Sequence, residues 1–212
     1  FVIRNESQGV WEIGLGQLLN PGQTNAPGVF INEGTLRVLS DSTAFVDTPF
    51  DLHCGGRVVV ETNSTLVFGG DGRWSGGEVA LESGAQSGDE VPAVIVDPLD
   101  FDIDGDVEVS GPGNFILDPP GVVGLYDISG TLTTDTEPVG GDTGQGFFFI
   151  DGPGSILLDG QIINEGAAKW EDGGILGSGT FVNRGSGENA GLTFDRTTER
   201  VLRASLVNEG AV

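Results

Sequence analysis

The sequence contains no methionine, a single cysteine (Cys54), a single histidine (His53) and a single lysine (Lys169) in 212 residues. One cysteine excludes an intrachain disulfide and a thiolate zinc cluster. Beside His53, it reads as one end of an intermolecular metal or redox contact or, more simply, as a buried small thiol next to a surface imidazole. No run approaches the ~20 apolar residues of a membrane helix, and no basic-apolar leader stands before Phe1, so no membrane insertion is expected. The absence of methionine suggests a processed or excerpted chain. Basic residues are also few: 9 Lys and Arg face 32 Asp and Glu, a net charge of −23. Nucleic acid is excluded as a partner, because its binding depends on Lys and Arg displacing counterions. Scarce lysine among many carboxylates suits a saline extracellular setting, where cations screen self-repulsion; it equally suits a long β surface kept soluble by its acids.

What is abundant is glycine, 37 residues, together with 12 Phe and 3 Trp in a chain that is 37% hydrophobic. That apolar content is too high for a disordered acidic tail, and the glycines lack the triplet period of collagen. They recur instead in motifs. Gly70-Asp71-Gly72-Arg73-Trp74, Gly111-Pro112-Gly113-Asn114-Phe115 and Gly152-Pro153-Gly154-Ser155-Ile156 begin at two equal intervals of 41 residues. Related forms stand at Gly14-Leu15-Gly16 and Gly177-Ser178-Gly179. Between them runs a second motif of two apolar residues, Asn, a charged residue and Gly: Phe30-Ile31-Asn32-Glu33-Gly34, Ile162-Ile163-Asn164-Glu165-Gly166, Phe181-Val182-Asn183-Arg184-Gly185 and Leu206-Val207-Asn208-Glu209-Gly210. Spacings near 20, with 41 as about twice that, point to one structural unit per ~20 residues.

Each unit reads as β. Apolar runs such as Arg57-Val58-Val59-Val60, Ala93-Val94-Ile95-Val96 and Phe147-Phe148-Phe149-Ile150 are short, branched or aromatic, and bounded by Gly, Pro, Asp or Asn. No window of about 12 residues keeps a helical period without a Gly or Pro break. A β-sandwich would call for longer strands joined by two-residue hairpins. The expected fold is therefore all-β, a single-stranded parallel β-helix (β-solenoid) of roughly ten rungs of about 20 residues, spanning 1–212 as one domain. The recurring Asn would stack as a ladder or take a left-handed turn conformation, the second being the simpler expectation.

These Asn-Glu-Gly corners, the Gly-x-Gly strand entries and the sequences Trp74-Ser75-Gly76-Gly77 and Trp170-Glu171-Asp172-Gly173-Gly174 resemble the degenerate repeats of bacterial extracellular β-solenoid proteins. The group is that of filamentous-haemagglutinin-like and autotransporter-passenger-like chains. The resemblance covers most of the sequence, is densest from Gly152 to Val212, and is weakest from Ser87 to Pro98. It implies an adhesive, fibre or scaffold role at the cell surface or outside the cell, with surface glycans as partners. Neither a secretion domain nor a membrane barrel accompanies it.

The chemistry is less pointed. Asp100, Asp102, Asp104 and Asp106, in Asp100-Phe101-Asp102-Ile103-Asp104-Gly105-Asp106, match the opening of a calcium loop. The closing bidentate position falls on Gly111, however, and alternation of Phe101 and Ile103 inward with the acids outward explains the same letters as a strand. Calcium is the one cofactor the sequence suggests. A hydrolase would use two carboxylates about 5 to 9 Å apart, but 32 acids give sequence proximity no power to choose a pair. His53 lacks the context of a catalytic triad. The three Trp read as core or corner residues ahead of sugar platforms. No catalytic residue is assigned, and an enzyme is not expected. Both ends lack caps: Phe1, Val2 and Ile3 open directly on strand residues, and Leu206, Val207 and Val212 close inside a repeat. This reads as an excerpt of a longer fibre or as a subunit that stacks end to end. The expected function is thus an extracellular structural or adhesive β-solenoid that self-associates. The alternative is a carbohydrate-active β-helix, a polysaccharide hydrolase or binding module, using surface carboxylates.

Overall fold

The computed structural model describes residues 2–14, 16–19, 28–82, 91–121, 125–136, 146–185, 191–194 and 200–210. Within them 26 strands form three parallel sheets of nine, nine and eight strands, and strand order in each sheet advances by three. The chain therefore coils as a three-sided solenoid, each coil giving one strand to each sheet. Coil two, for example, is Val29–Asn32, Thr35–Val38 and Thr43–Val46. The β-solenoid expected from the sequence is what forms, with eight three-stranded coils and the first two strands of a ninth, Val201–Leu202 and Ser205–Asn208.

Strand pattern explains the stacking. Most strands have four residues and alternate in burial, as in Thr65–Phe68 and Asn114–Leu117, so two side chains per strand point inward. In parallel register, these inward residues land on their counterparts in the next coil: Phe30 on Phe50, and Leu36 on Val58. The result is one narrow core along the axis. Its aromatic spine runs Phe30, Phe50, Phe68, Trp74, Phe101 and Tyr126, with successive ring centroids 4.7–5.5 Å apart. The Tyr126 hydroxyl, buried among these rings, donates to Val96 O at 2.7 Å and lies 3.0 Å from Asp118 O.

Coil length is less regular than the motif spacing suggests. Ile156 pairs with Ile175, 19 residues on, whereas Tyr126 pairs with Ile156, 30 on. The longer coils carry extra residues between strands, such as 83–90 and 137–145, each lying between a strand of the second sheet and the next strand of the third. The equal 41-residue intervals have no structural counterpart. Gly70 and Gly152 sit where the third sheet hands over to the first, whereas Gly111 ends a second-sheet strand. The middle copy thus occupies a different corner from the outer two, because the true unit is a strand plus a corner, about a third of a coil.

Candidate functional site

The Asn-x-Gly motif resolves into a packing device. At the corner after the second sheet, Thr134 Oγ1 donates to Asn164 Oδ1 (3.2 Å), Asn164 Nδ2 to Asn183 Oδ1 (2.8 Å), and Asn183 Nδ2 to Asn208 Oδ1 (2.7 Å). A second ladder stands at the corner after the first sheet, where Asn5 Nδ2 donates to Asn32 Oδ1 (2.8 Å) and Asn32 Nδ2 to Arg57 O (3.0 Å). Asn32, Asn164 and Asn183 are fully buried, so the amides satisfy one another where water is excluded. The left-handed alternative is overturned for these residues. Among the described non-glycine residues, positive φ occurs at Asp41 and Asn63, where Asn63 Nδ2 reaches Asp41 Oδ1 at 3.0 Å. An inward amide gains partners above and below it, which a left-handed turn would forgo. The motif's charged residue faces solvent and pairs along the axis: Arg184 lies 3.6 Å from Glu165 and 3.0 Å from Glu209. Its glycine packs backbone on backbone, since a Cβ on Gly166 would overlap Thr136 O and one on Gly185 would overlap Gly166 O.

The acidic run lies along a strand and its corner. Asp100 and Asp102 face outward from Asp100–Ile103, with Phe101 and Ile103 in the core; Asp104 is at the corner, and Asp106 begins the next strand. Asp104 is held by Arg73, whose Nε donates to it at 2.7 Å. Among the described residues no three His, Cys, Asp or Glu side chains converge to hold a metal ion, these four included. Register instead builds an acidic row on the outer first sheet. Asp51, Arg73, Asp102 and Asp127 follow one another coil by coil. Burial holds the Asp102 carboxyl above its ordinary value, with Asp100 and Asp127 adding to the effect. Asp127 is raised by burial, then by Asp159 and Asp100, and Asp51 by burial.

The sign of the pH effect follows. A carboxyl whose folded pKa is raised binds its proton more tightly in the folded state, so its charging costs stability as pH rises through that window, and acidification restores it. Glu61 is opposite: hydrogen bonding from Arg37 lowers it, and its contribution is lost only as pH falls below the ordinary glutamate value of 4.5. With a net charge of −23 adding self-repulsion, the melting temperature is expected to rise as pH falls from 7 toward the usual carboxylate range and to fall at stronger acid, where Glu61 protonates. Calorimetry across this range checks it; a steady decline from pH 7 downward would contradict it.

The remaining sequence candidates are dispersed. Cys54 is exposed, against the reading of a buried thiol, because it sits in the tight turn between the first and second sheets. The neighbouring His53 Nδ1 is 3.7 Å from Glu33 Oε1. Trp74 and Trp170 are core residues, whereas Trp11 on the first coil is 36% exposed and meets Phe30 edge-on at 5.4 Å. Of the end residues, Ile3 and Leu206 point inward and Val2 and Val207 outward; Phe1 and Val212 lie outside the described residues. Leu202 and Leu206 in coil nine are 40% and 39% exposed, yet their register partners Ile175 and Phe181 are 0% and 1%. Trp11, read with the other two tryptophans as a core or corner residue, and Leu202 both take an inward phase that becomes visible only once register is known.

The coordinates define the class: a single-chain, three-sided parallel β-solenoid. Comparison with protein-family models, curated proteins and solved structures finds no match to this chain.

Proposed function

We propose that this chain is a segment or subunit of an extracellular structural or adhesive rod, built by coil-on-coil stacking and performing no catalysis. The observation that carries the reading is the in-register stacking of parallel coils, in sheets of nine, nine and eight strands, around one continuous apolar core. A lattice of this kind lengthens by adding coils, and a head-to-tail contact between such rods propagates without closing. The resemblance to filamentous-haemagglutinin-like repeats supports the setting, and an acidic surface fits it.

The test is direct. Negative-stain images of the purified chain should show rods whose length grows with concentration, and Leu202→Lys with Leu206→Lys should shorten them to single units without changing the β circular dichroism. Compact particles indifferent to concentration would count against the proposal. The alternative, carbohydrate cleavage, draws on one feature: Asp102 and Asp127 are adjacent in register and both held above ordinary carboxylate pKa values. Release of reducing sugar from an acidic or neutral polysaccharide, abolished by Asp127→Asn, would favour it.

A further inference from the structure

The outer face of the third sheet differs from the other two. Phe45, Val67, Ile95, Ile116 and Phe149 follow one another in unbroken register across five coils. All point outward between inward-facing core residues; Phe45 is 40% exposed and the other four are half-buried. At about 4.8 Å per coil the row is roughly 19 Å long. Lys169 closes the row on the next coil, its Nζ 5.8 Å from the centre of the Phe149 ring, whereas the comparable rows elsewhere are broken by charge within their length, by Asp51, Arg73 and Asp102 on the first sheet and by Arg57, Glu78 and Glu108 on the second.

Beside this apolar row runs an acidic one. The backbone ladder continues one residue past each strand, so that Asp97 N donates to Phe68 O (2.9 Å), Asp118 N to Val96 O (2.9 Å) and Asp151 N to Leu117 O (3.1 Å). Their side chains stand two residues beyond Ile95, Ile116 and Phe149 and share that face. Burial, then Asp97 and Asp151, hold the Asp118 carboxyl above its usual range. On the first two sheets arginines answer the acids: Arg73 with Asp104, Arg37 with Glu61, Arg57 with Glu78. Among the described residues no Lys or Arg forms an ion pair with Asp97, Asp118 or Asp151.

We propose that this face docks a basic amphipathic helix of a partner protein, its apolar stripe along Phe45 to Phe149 and its Lys or Arg residues over Asp97, Asp118 and Asp151. The chemistry selects this occupant. Anionic lipid and nucleic acid have the wrong sign. A second copy would bring the same acids and a charge of −23. A glycan would find only two rings, Phe45 and Phe149, four coils apart, and would leave the carboxylates unpaired. A strand laid along the axis repeats its side chains about every 6.8 Å and falls out of step, whereas a helix advances 5.4 Å per turn and meets nearly one coil each turn. About 13 residues of helix span the row. The inference is independent of whether the rods stack.

The probe is a labelled 18-residue Leu/Lys peptide with leucine at i, i+3, i+4 and i+7, titrated by fluorescence anisotropy in 150 mM NaCl against the whole chain. Ile95→Thr with Ile116→Thr, and separately Asp97→Asn with Asp118→Asn, should each weaken binding at least tenfold. Asp102→Asn with Asp127→Asn removes equal charge from the first sheet and should change it less than twofold. Circular dichroism of each variant establishes that the fold persists. Equal weakening by the two Asp→Asn pairs would reduce the effect to bulk attraction and overturn the proposal. So would a peptide that fails to bind at 100 μM, or a change in sedimentation of the peptide-free chain in the Ile95→Thr/Ile116→Thr variant, which would make a second copy the occupant.

Discussion

Asn164→Leu is expected to lower unfolding stability by about 3 kcal/mol, although leucine keeps the four heavy atoms and the Cγ branch of asparagine. Asn164 is fully buried and makes three contacts: its Oδ1 accepts from Thr134 Oγ1, and its Nδ2 donates to Gly166 O (3.0 Å) and Asn183 Oδ1. A net hydrogen bond is worth only about 1 kcal/mol, but each buried group left without a partner costs about 1–3 kcal/mol. Leucine strands the Thr134 hydroxyl and Asn183 Oδ1, whereas Gly166 O keeps the amide of Gly191. Because coils interact mainly with their neighbours, the damage should be local. Hydrogen exchange should show lost protection at Ile163 and Val182, with the amides of Val58 and Leu66 unchanged. Glu165→Gln, at the next residue but facing solvent, is the control and should stay within about 0.5 kcal/mol of the parent. A loss for Asn164→Leu no larger than the control would mean that the ladder contributes nothing to stability.

Gly160→Val should do more, preventing the C-terminal coils from stacking at all. At the corner after the first sheet, Gly105, Gly130, Gly160 and Gly179 lie directly over one another. Gln161 N donates to Gly130 O at 2.9 Å and Thr180 N to Gly160 O at 3.0 Å. A Cβ on Gly160 would overlap Gly130 O and both the carbonyl carbon and oxygen of Ser129, all backbone atoms that cannot swing aside. Coils pinned at the inter-strand spacing of about 4.8 Å have no room to yield without breaking ladder hydrogen bonds. The expected result is a loss above about 4 kcal/mol, or a chain whose protected core ends near coil six. Gly14→Ala, where an added Cβ meets nothing within 4 Å, should be neutral or slightly stabilising. Wild-type stability in Gly160→Val would show that the corner is looser than its contacts require.

These two columns also show how far the sequence can be read. The Asn-Glu-Gly and Asn-Arg-Gly copies at 164, 183 and 208 do share one corner, but Asn32 belongs to another. Nothing in the letters separates the two, because a strand end in the first sheet and one in the second need the same inward amide and the same bare backbone. The Gly-x-Gly interval misled for a related reason. Any strand followed by a tight corner needs glycine, so Gly111 looks locally like Gly70 and Gly152 while serving a different side of the triangle. The acidic run from Asp100 to Asp106 is legible as an alternating strand, and the structure places Phe101 and Ile103 in the core accordingly. Its neighbours Arg73 and Asp127 come from other coils and could not be read beside it.

From its letters alone, the chain is committed to short strands, glycine corners, stacked parallel coils and a surface dominated by carboxylates, because period-two alternation and the steric freedom of glycine act within a few residues. Which side each strand joins, which outward residues line up into the row from Phe45 to Phe149, and which acids find an arginine are decided by tertiary register. That register depends on the number of residues inserted at each corner. A coil that closes after 19 residues and one that needs 30 place the same motif on the same lattice, since hydrogen bonding between coils, not distance along the chain, sets what lies above what.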